Sequence, residues 1–301
     1  MNTHLPNLKH LQYLVALHHH QHFHKAAESC FVSQSTLSSA IIKLEQLLNC
    51  QLIERDHKNF VFTRHGKEVV AMAEQLLNQA DDLINYCQVQ GNPAQGKIYL
   101  GCIPTIAPFL MTEVIERAHQ SYPGLDMFVI EDTTENLLDA LQHGRIDVAV
   151  LALPIDDKFS QGFHYLPLGK DGFYLAGSRA LIDKVLADGD YRHVSKGQIF
   201  VLSEEHCLTR HALAVCKVNE KEKLNDFAPT SLTTLMQMTL HHKGLTFLPH
   251  MAIKRGLAGY ADIAYAPLPG HPSREIALVY RHRSYRQETY ENLAKIIKPL
   301  I

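Results

Sequence analysis

Between Val69 and Cys87 the small and apolar residues Val69, Ala73, Leu76, Ala80, Leu83 and Cys87 fall alternately four and three apart, and no other stretch constrains the chain as strongly. Thr63 supplies a cap before them, so one helix is expected to run to about Gln90 and to span roughly 40 Å. A helix with such a seam buries it against a copy of itself, which predicts a homodimer. Directly afterwards Gly91-Asn92-Pro93-Ala94-Gln95-Gly96 breaks the helix. The 301 residues are thereby cut into a head (1–65), a linker and dimerisation helix (66–91) and a long body (96–301).

In the head, Leu8, Leu11, Val15 and Leu17 recur at helical spacing and predict a helix from about Asn7 to His18. A short helix around Lys25 to Cys30 follows, its Ala26 and Ala27 allowing a neighbour to approach closely. Val32-Ser33 then offers a turn and an N-cap to a third helix, whose stripe Leu37, Ile41, Leu44 and Leu48 faces inward. Gln34, Ser35, Thr36, Ser38, Ser39 and Lys43 are left outside, short polar groups suited to base edges and phosphates. Gln51 to Glu54 and Phe60 to Thr63 pair as a hairpin around Asp56-His57-Lys58-Asn59, with Lys58 a further DNA contact. Three helices and a hairpin make a winged helix-turn-helix.

The body alternates strands and helices: a strand at Lys97 to Cys102, a helix at Ala107 to His119, a strand at Met127 to Glu131, a helix at Asn136 to His143 and a buried strand at Asp147 to Leu151. Alternation of this kind predicts a parallel sheet with helical crossovers. Strands at Phe163 to Leu168 and Gly172 to Ala176 lead away into a second set: a strand at Gln198 to Leu202, helices at Leu208 to Val215 and Leu232 to His242, and a strand at Leu245 to Leu248. A strand at Arg274 to Tyr280 and a helix at Gln287 to Ile297 return. The fold class expected is α/β, in two lobes joined by two crossings, lobe I about 96–168 with 272–301 and lobe II about 169–271.

Composition limits the function classes. A net charge of −2 gives no global sign of nucleic acid, and the head itself holds six Lys and Arg against four Asp and Glu. A net +2 on the head predicts that tight binding needs more than one head on the DNA and weakens steeply with salt. No run of eighteen apolar residues and no signal-peptide pattern occurs, which predicts a cytoplasmic protein with no membrane partner. His18, His19, His20, His22 and His24 include i,i+4 pairs, but no carboxylate or cysteine completes a set, so no metal is expected.

Glu204 to Cys216 carries the most reactive chemistry. His206 adjoins Cys207, Arg210 and His211 follow, and Cys216 stands nine positions beyond Cys207. If 208–215 is helical, the two cysteine Cα atoms are roughly 13 Å apart, while a disulfide needs about 4.4 to 6.8 Å. Joining them requires the segment to unwind. Spacing alone leaves two readings open, buried structural cysteines and a redox pair whose first thiol is activated by neighbouring cations.

The run AAESCFVSQSTLSSAIIKLEQLLNCQLIER followed by VFTRHG resembles the DNA-binding head of the LysR-type transcriptional regulators. GCIPTIAPFL (Gly101 to Leu110), HCLTRHALAVC (His206 to Cys216), APTSLTTL (Ala228 to Leu235), GLTFLP (Gly244 to Pro249) and REIALVYR (Arg274 to Arg281) are similar to the peroxide-sensing OxyR subgroup. The resemblance implies a periplasmic-binding-protein-like body and no cofactor, with hydrogen peroxide as signal. It implies that Cys207 is oxidised and that Cys216 resolves the product to a disulfide. His206 and Arg274 would stabilise the thiolate and departing hydroxide, and Thr105 and Thr134 would hold peroxide. The implied partners are promoter DNA, a homodimer assembling to a homotetramer, RNA polymerase and a thiol reductant that resets the switch. Proline is usual where Ser35 stands, and arginine or glutamine where Ala40 and Ile42 stand, so this head is expected to make fewer polar contacts. Cys30, Cys50 and Cys102 read as packing residues, with Cys102 a candidate second oxidisable thiol.

Two rivals remain. A LysR-type regulator of another subgroup would bind an organic metabolite non-covalently and keep its response in Cys207→Ser. A thiol peroxidase with a DNA-binding appendage would consume peroxide catalytically, and the chain shows no docking motif for a reducing partner.

Overall fold

A computed structural model of the chain describes residues 5–55, 60–88, 95–155, 162–188, 197–215, 224–255, 263–282 and 284–301. Lys58 with the rest of the hairpin tip, the 91–94 break and Cys216 lie outside the described residues. The chain divides into two units at Gly91/Asn92, the second holding the bulk of 92–301.

The first unit begins with α1 (Leu8–His20), α2 (Phe23–Ser29) and α3 (Gln34–Leu48). Asn7 and Ser33 cap α1 and α3 by accepting from the amides of Lys9 and Thr36. Leu11, Leu14, Leu17, Ala26, Ala27, Leu37, Ile41 and Leu44 form one core. Leu48 departs from the expected stripe: it is 38% exposed, because it is the last residue of α3 before Asn49 turns left-handed. Antiparallel β1 (Ile53–Arg55) and β2 (Phe60–Phe62) make the wing. The Glu45 carboxylate fastens it to α3 by accepting from the amides of Leu52 and Ile53, at 2.8 and 3.0 Å.

Thr63 caps α4 (Arg64–Gln88), its Oγ1 accepting from Gly66 N at 2.8 Å while donating to Gln51 O. The seam of α4 is divided. Ala73 is buried in the head core with Val69 packed against it, whereas Leu76 and Leu83 are 46% and 65% exposed and Cys87 is exposed. The first turns of the helix are used to close the head, so the continuous seam expected from Val69 survives only farther along.

In the second unit β3 (Gly96–Cys102), β4 (Leu125–Glu131) and β5 (Val148–Leu153) are parallel, linked through α5 (Ala107–Ser121) and α6 (Thr134–Gln142). The parallel sheet expected from the alternation is present in these three strands, and the sheet continues antiparallel beyond them. β6 (Phe163–Ser178) and β9 (Ser273–Arg281) run antiparallel to each other, and β9 antiparallel to β5. One strand leaves the first lobe and the other returns, so opposite directions are unavoidable. The two strands expected at 163–168 and 172–176 are one 16-residue strand with an irregularity between Pro167 and Gly169.

The far half of β6 carries the second lobe, pairing with β7 (Leu245–Pro249) and β8 (Ile263–Pro267). Around it lie α7 (Arg179–Asp188), α8 (Cys207–Val215), α9 (Leu232–His241) and α10 (His250–Arg255), and α11 (Gln287–Ile297) closes the first lobe. The strand expected at Gln198 to Leu202 is absent as such. Ile199 makes only single bridges to Leu224 and Leu245. Helices α7 and α10 and strand β8 were not legible beforehand. Two cores result, one on β3, β5 and β9 with α5, α6 and α11, the other on β6, β7 and β8 with α8 and α9. The architecture is a winged helix-turn-helix with a linker helix, then a two-lobed α/β body.

Candidate functional site

In the head, Gln34, Ser35, Thr36, Ser39 and Lys43 are exposed and Ser38 is half-buried. A recess of about 420 Å³ runs between Ser39 and Lys43 of α3 and Lys9, His10 and Tyr13 of α1. Sequence reasoning missed the α1 side of this recess, because helical periodicity marks which face is buried and not which other helix shares the outer face. Ser35 and Thr36 are partly occupied, their hydroxyls lying 2.9 and 2.7 Å from the Ser33 cap. Arg55 of the wing donates to Ser38 Oγ at 3.1 Å. Ala40 is buried and Ile42 is 40% exposed, so only the second of these departures presents an apolar residue on the surface.

The histidine-rich turn is structural at several points. His18 packs edge-on against Phe62, His22 accepts from the amide of His24, and His19 Nε2 lies 2.9 Å from Glu74 Oε1.

In the body, Cys207 is the first residue of α8, 5% exposed, and a free thiol. It lines a cavity of about 430 Å³ whose other walls include Thr133, Thr134 and Asn136 at the start of α6, and Glu205 and Arg210 beside the thiol. Thr134 Oγ1 is buried with no hydrogen-bond partner among the described residues. A Thr133-Thr134 step opening a helix opposite the thiol is thus brought together by the fold from 73 positions away.

His206 is buried, and its Nε2 lies 3.8 Å from Glu205 Oε1, longer than a hydrogen bond. Burial holds its pKa below the ordinary 6.5, with the Glu205 carboxylate opposing that shift. The unfolded chain therefore binds this proton more readily than the native one. Stability present above pH 6.5 is lost as pH falls from there toward the lowered native value. Thermal melts between about pH 7.5 and 5.5 should show a shallower decline for His206→Asn than for the parent chain. Equal slopes would remove His206 from the titration.

Helix α8 is fastened at both faces. Thr209 Oγ1 donates to Leu202 O at 2.8 Å, and His211 Nε2 lies 3.0 Å from Pro154 O. The expected helix at Leu208 to Val215 is present and starts one residue earlier. Its rise sets the Cα atoms of Cys207 and Val215 about 12 Å apart. Cys216 follows Val215 in the chain and lies outside the described residues.

Arg274, expected as a site residue, is buried with its side chain 0% exposed. Its Nε and Nη2 donate to Asp171 Oδ2 at 3.1 and 3.0 Å, and Nη1 donates to Thr105 Oγ1 at 2.8 Å. Asp171 Oδ1 in turn accepts from Met251 N at 3.0 Å, at the start of α10. Thr105 stands just before α5 and does not cap it. That role falls to Ile106, without a side-chain bond, because the Thr105 hydroxyl is engaged by Arg274. Asp171 was missed altogether. Its place between Gly169 and Gly172 reads as a turn, whereas β6 in fact runs straight through it.

Cys102 is fully buried, and burial, reinforced by the Glu131 carboxylate, pushes its thiol well above the usual range. A thiol raised in this way counts against Cys102 as a second oxidisable thiol. Cys30 and Cys50 are only half-buried, and Cys87 is exposed. Among the described residues no group of three or more His, Cys, Asp or Glu is arranged to hold a metal, and no helix is long and apolar enough to cross a membrane.

Two family descriptions match the chain: the bacterial regulatory helix-turn-helix protein of the lysR family over residues 8–67, and the LysR substrate binding domain over residues 91–300. The HTH-type transcriptional regulator EstR of Acinetobacter baylyi is 35% identical over 98% of this chain and 97% of its own length. The DNA-binding transcriptional dual regulator OxyR of Escherichia coli is 34% identical over 97% and 95%. Among solved structures, a full-length OxyR cysteine-to-aspartate variant from Pseudomonas aeruginosa superposes with a TM-score of 0.73 at 28% identity, covering 98% of both chains. The reduced OxyR2 regulatory domain from Vibrio vulnificus reaches 0.65 at 41% identity, over 69% of this chain and 96% of that one. Matched in order by both descriptions and alike in fold to an OxyR over nearly its whole length, the chain belongs to the LysR family of transcriptional regulators and is similar to its OxyR members.

Proposed function

We propose that this chain is a DNA-binding regulator that senses hydrogen peroxide through Cys207. The observation that carries the reading is a buried thiol at the start of α8, facing a cavity walled by Thr133 and Thr134. The thiolate of Cys207 attacks one peroxide oxygen. An S–O bond forms, the O–O bond breaks, and the departing hydroxide takes a proton to leave as water. The Cys216 thiolate then attacks the sulfenic sulfur, the S–S bond forms as the S–O bond breaks, and the expelled hydroxide takes a proton to leave as a second water. The cavity has hydrogen-bonding groups for peroxide in Thr134 and its neighbours. Arg274 and Thr105 hold each other in place, and Arg274 acts on the site from that anchored position.

Closing the bridge unwinds α8 and pulls on its contacts to Leu202 and Pro154, so the two body states differ in packing. The exposed apolar residues of α4 are the surface on which two chains pair and bring two heads to DNA. The oxidised arrangement, as a homotetramer in the cytoplasm, engages RNA polymerase at its promoters, and a thiol reductant restores the two thiols.

Mass spectrometry after stoichiometric peroxide is expected to find a Cys207–Cys216 linkage, and Cys207→Ser to lose the transcriptional response. In Cys216→Ser the oxidation stops at sulfenic acid. An intact response in Cys207→Ser would instead favour a non-covalent effector, a reading for which the cavity is large enough, about 430 Å³. DNA affinity is expected to fall by about tenfold or more between 50 and 200 mM salt, from phosphate contacts by Lys9, Lys43, Arg55 and their copies. A flat salt profile would remove phosphate contacts as the source of binding.

A further inference from the structure

The two strands that cross between the lobes carry different chemistry on their two faces. Side chains alternate across a strand, so Asp171 and Arg274 face the buried side while their neighbours Lys170 and Glu275 face the other. Glu275 is in register with Leu153 of β5 on one side and with Lys170 of β6 on the other. These three make a single row, apolar, acidic, basic, across three strands. The row floors a groove of about 580 Å³, with Ser273 beside it. Pro154, Ile155 and the half-buried ring of Tyr165 form its apolar wall.

Lys170 and Glu275 are both exposed, and among the described residues no ion pair joins them although their strands are neighbours. Adjacent strands are about 4.8 Å apart, which suits a ligand whose ammonium and carboxylate are themselves a few ångströms apart. An anion alone would leave Glu275 facing it, and a cation alone would leave Lys170 facing it. A molecule carrying both charges meets both, and its apolar part lies against Leu153, Ile155 and Tyr165.

The groove also adjoins the thiol site. Ile155 lines this groove and the Cys207 cavity alike, and the carbonyl of Pro154 is the anchor of His211 on α8.

We infer that the groove between β5, β9 and β6 binds a small zwitterion with an apolar side chain, an amino acid or dipeptide, and that its occupancy steadies α8 and shields Cys207. The site is separate from the peroxide chemistry, and its test does not depend on that chemistry.

The probe is the dipeptide Leu-Phe, titrated calorimetrically into the reduced full-length chain, with N-acetyl-Leu-Phe and Leu-Phe amide as single-charge controls. Leu-Phe is expected to bind saturably, and each control at least about tenfold more weakly. Lys170→Gln and Glu275→Gln should each weaken Leu-Phe by a similar factor. Reversing both charges, Lys170→Glu with Glu275→Lys, should restore it, because a zwitterion can turn around. That double variant keeps the result interpretable if a single variant folds poorly. In parallel, alkylation of Cys207 by N-ethylmaleimide, followed on its own peptide by mass spectrometry, should slow at least about threefold with Leu-Phe present. No saturable binding up to about 5 mM, equal binding of a single-charge control, indifference to both glutamine variants, or an unchanged alkylation rate would each overturn the proposal.

Discussion

Replacing Arg274 by alanine is expected to lower the stability of the body by about 3 to 5 kcal/mol, the largest single effect in that unit. The guanidinium and the Asp171 carboxylate are 0% and 2% exposed, and the pair holds β6 to β9 at the crossing between lobes. Removing the cation leaves a buried carboxylate answered, among the described residues, only by the Met251 amide, and strips Thr105 of its donor. Chemical denaturation of the parent and variant chains, fitted for midpoint and slope, measures the change. The double variant Arg274→Met with Asp171→Leu is expected to recover most of the loss, because a buried pair is strongly destabilising when broken and close to neutral when replaced whole by apolar groups. If Arg274→Ala alone costs less than about 1 kcal/mol, the network is not holding the crossing.

Gly66→Ala is the second large effect, and it falls on the head. A Cβ at Gly66 would stand 2.1 Å from the carbonyl oxygen of Leu52, a backbone atom that cannot swing aside. Thr63 fixes the approach from the other side, with its hydroxyl on the Gly66 amide and on the carbonyls of Gln51 and Leu52. The wing and the start of α4 must separate, at a cost of about 3 kcal/mol. Promoter binding by Gly66→Ala should collapse in a mobility-shift assay while maleimide labelling of Cys207 continues at the parent rate. Normal DNA binding by this variant would show that the wing junction relaxes freely.

Much of the head was readable because its signals are local. Ser33 caps α3, and the apolar spacing of Leu37, Ile41 and Leu44 names the buried face, all within one helix. The body was readable where periods are long and regular, as in α5, α9 and α11. It was not where a segment's state depends on what lies beside it. Gln198 to Leu202 has strand-like residues but finds only single bridges, and Gly-Lys-Asp-Gly at 169–172 looks like a turn yet lies within the 16-residue β6. Pairing with β9 across Lys170, Asp171 and Gly172 overrides the local preference there.

The candidate site divides in the same way. That a helix follows Cys207 was expected from the sequence, and α8 runs from Cys207 to Val215. That Thr134 faces Cys207 across a cavity, that Arg274 is bound by Asp171 and Thr105, and that Lys170 and Glu275 share one row required distant segments to be placed together. The sequence by itself determined the helical periods and the cysteine spacing. Only the tertiary structure decided strand direction, the partner of the buried arginine and the walls of the two cavities, because those depend on contacts between residues tens to hundreds of positions apart, which no local pattern encodes.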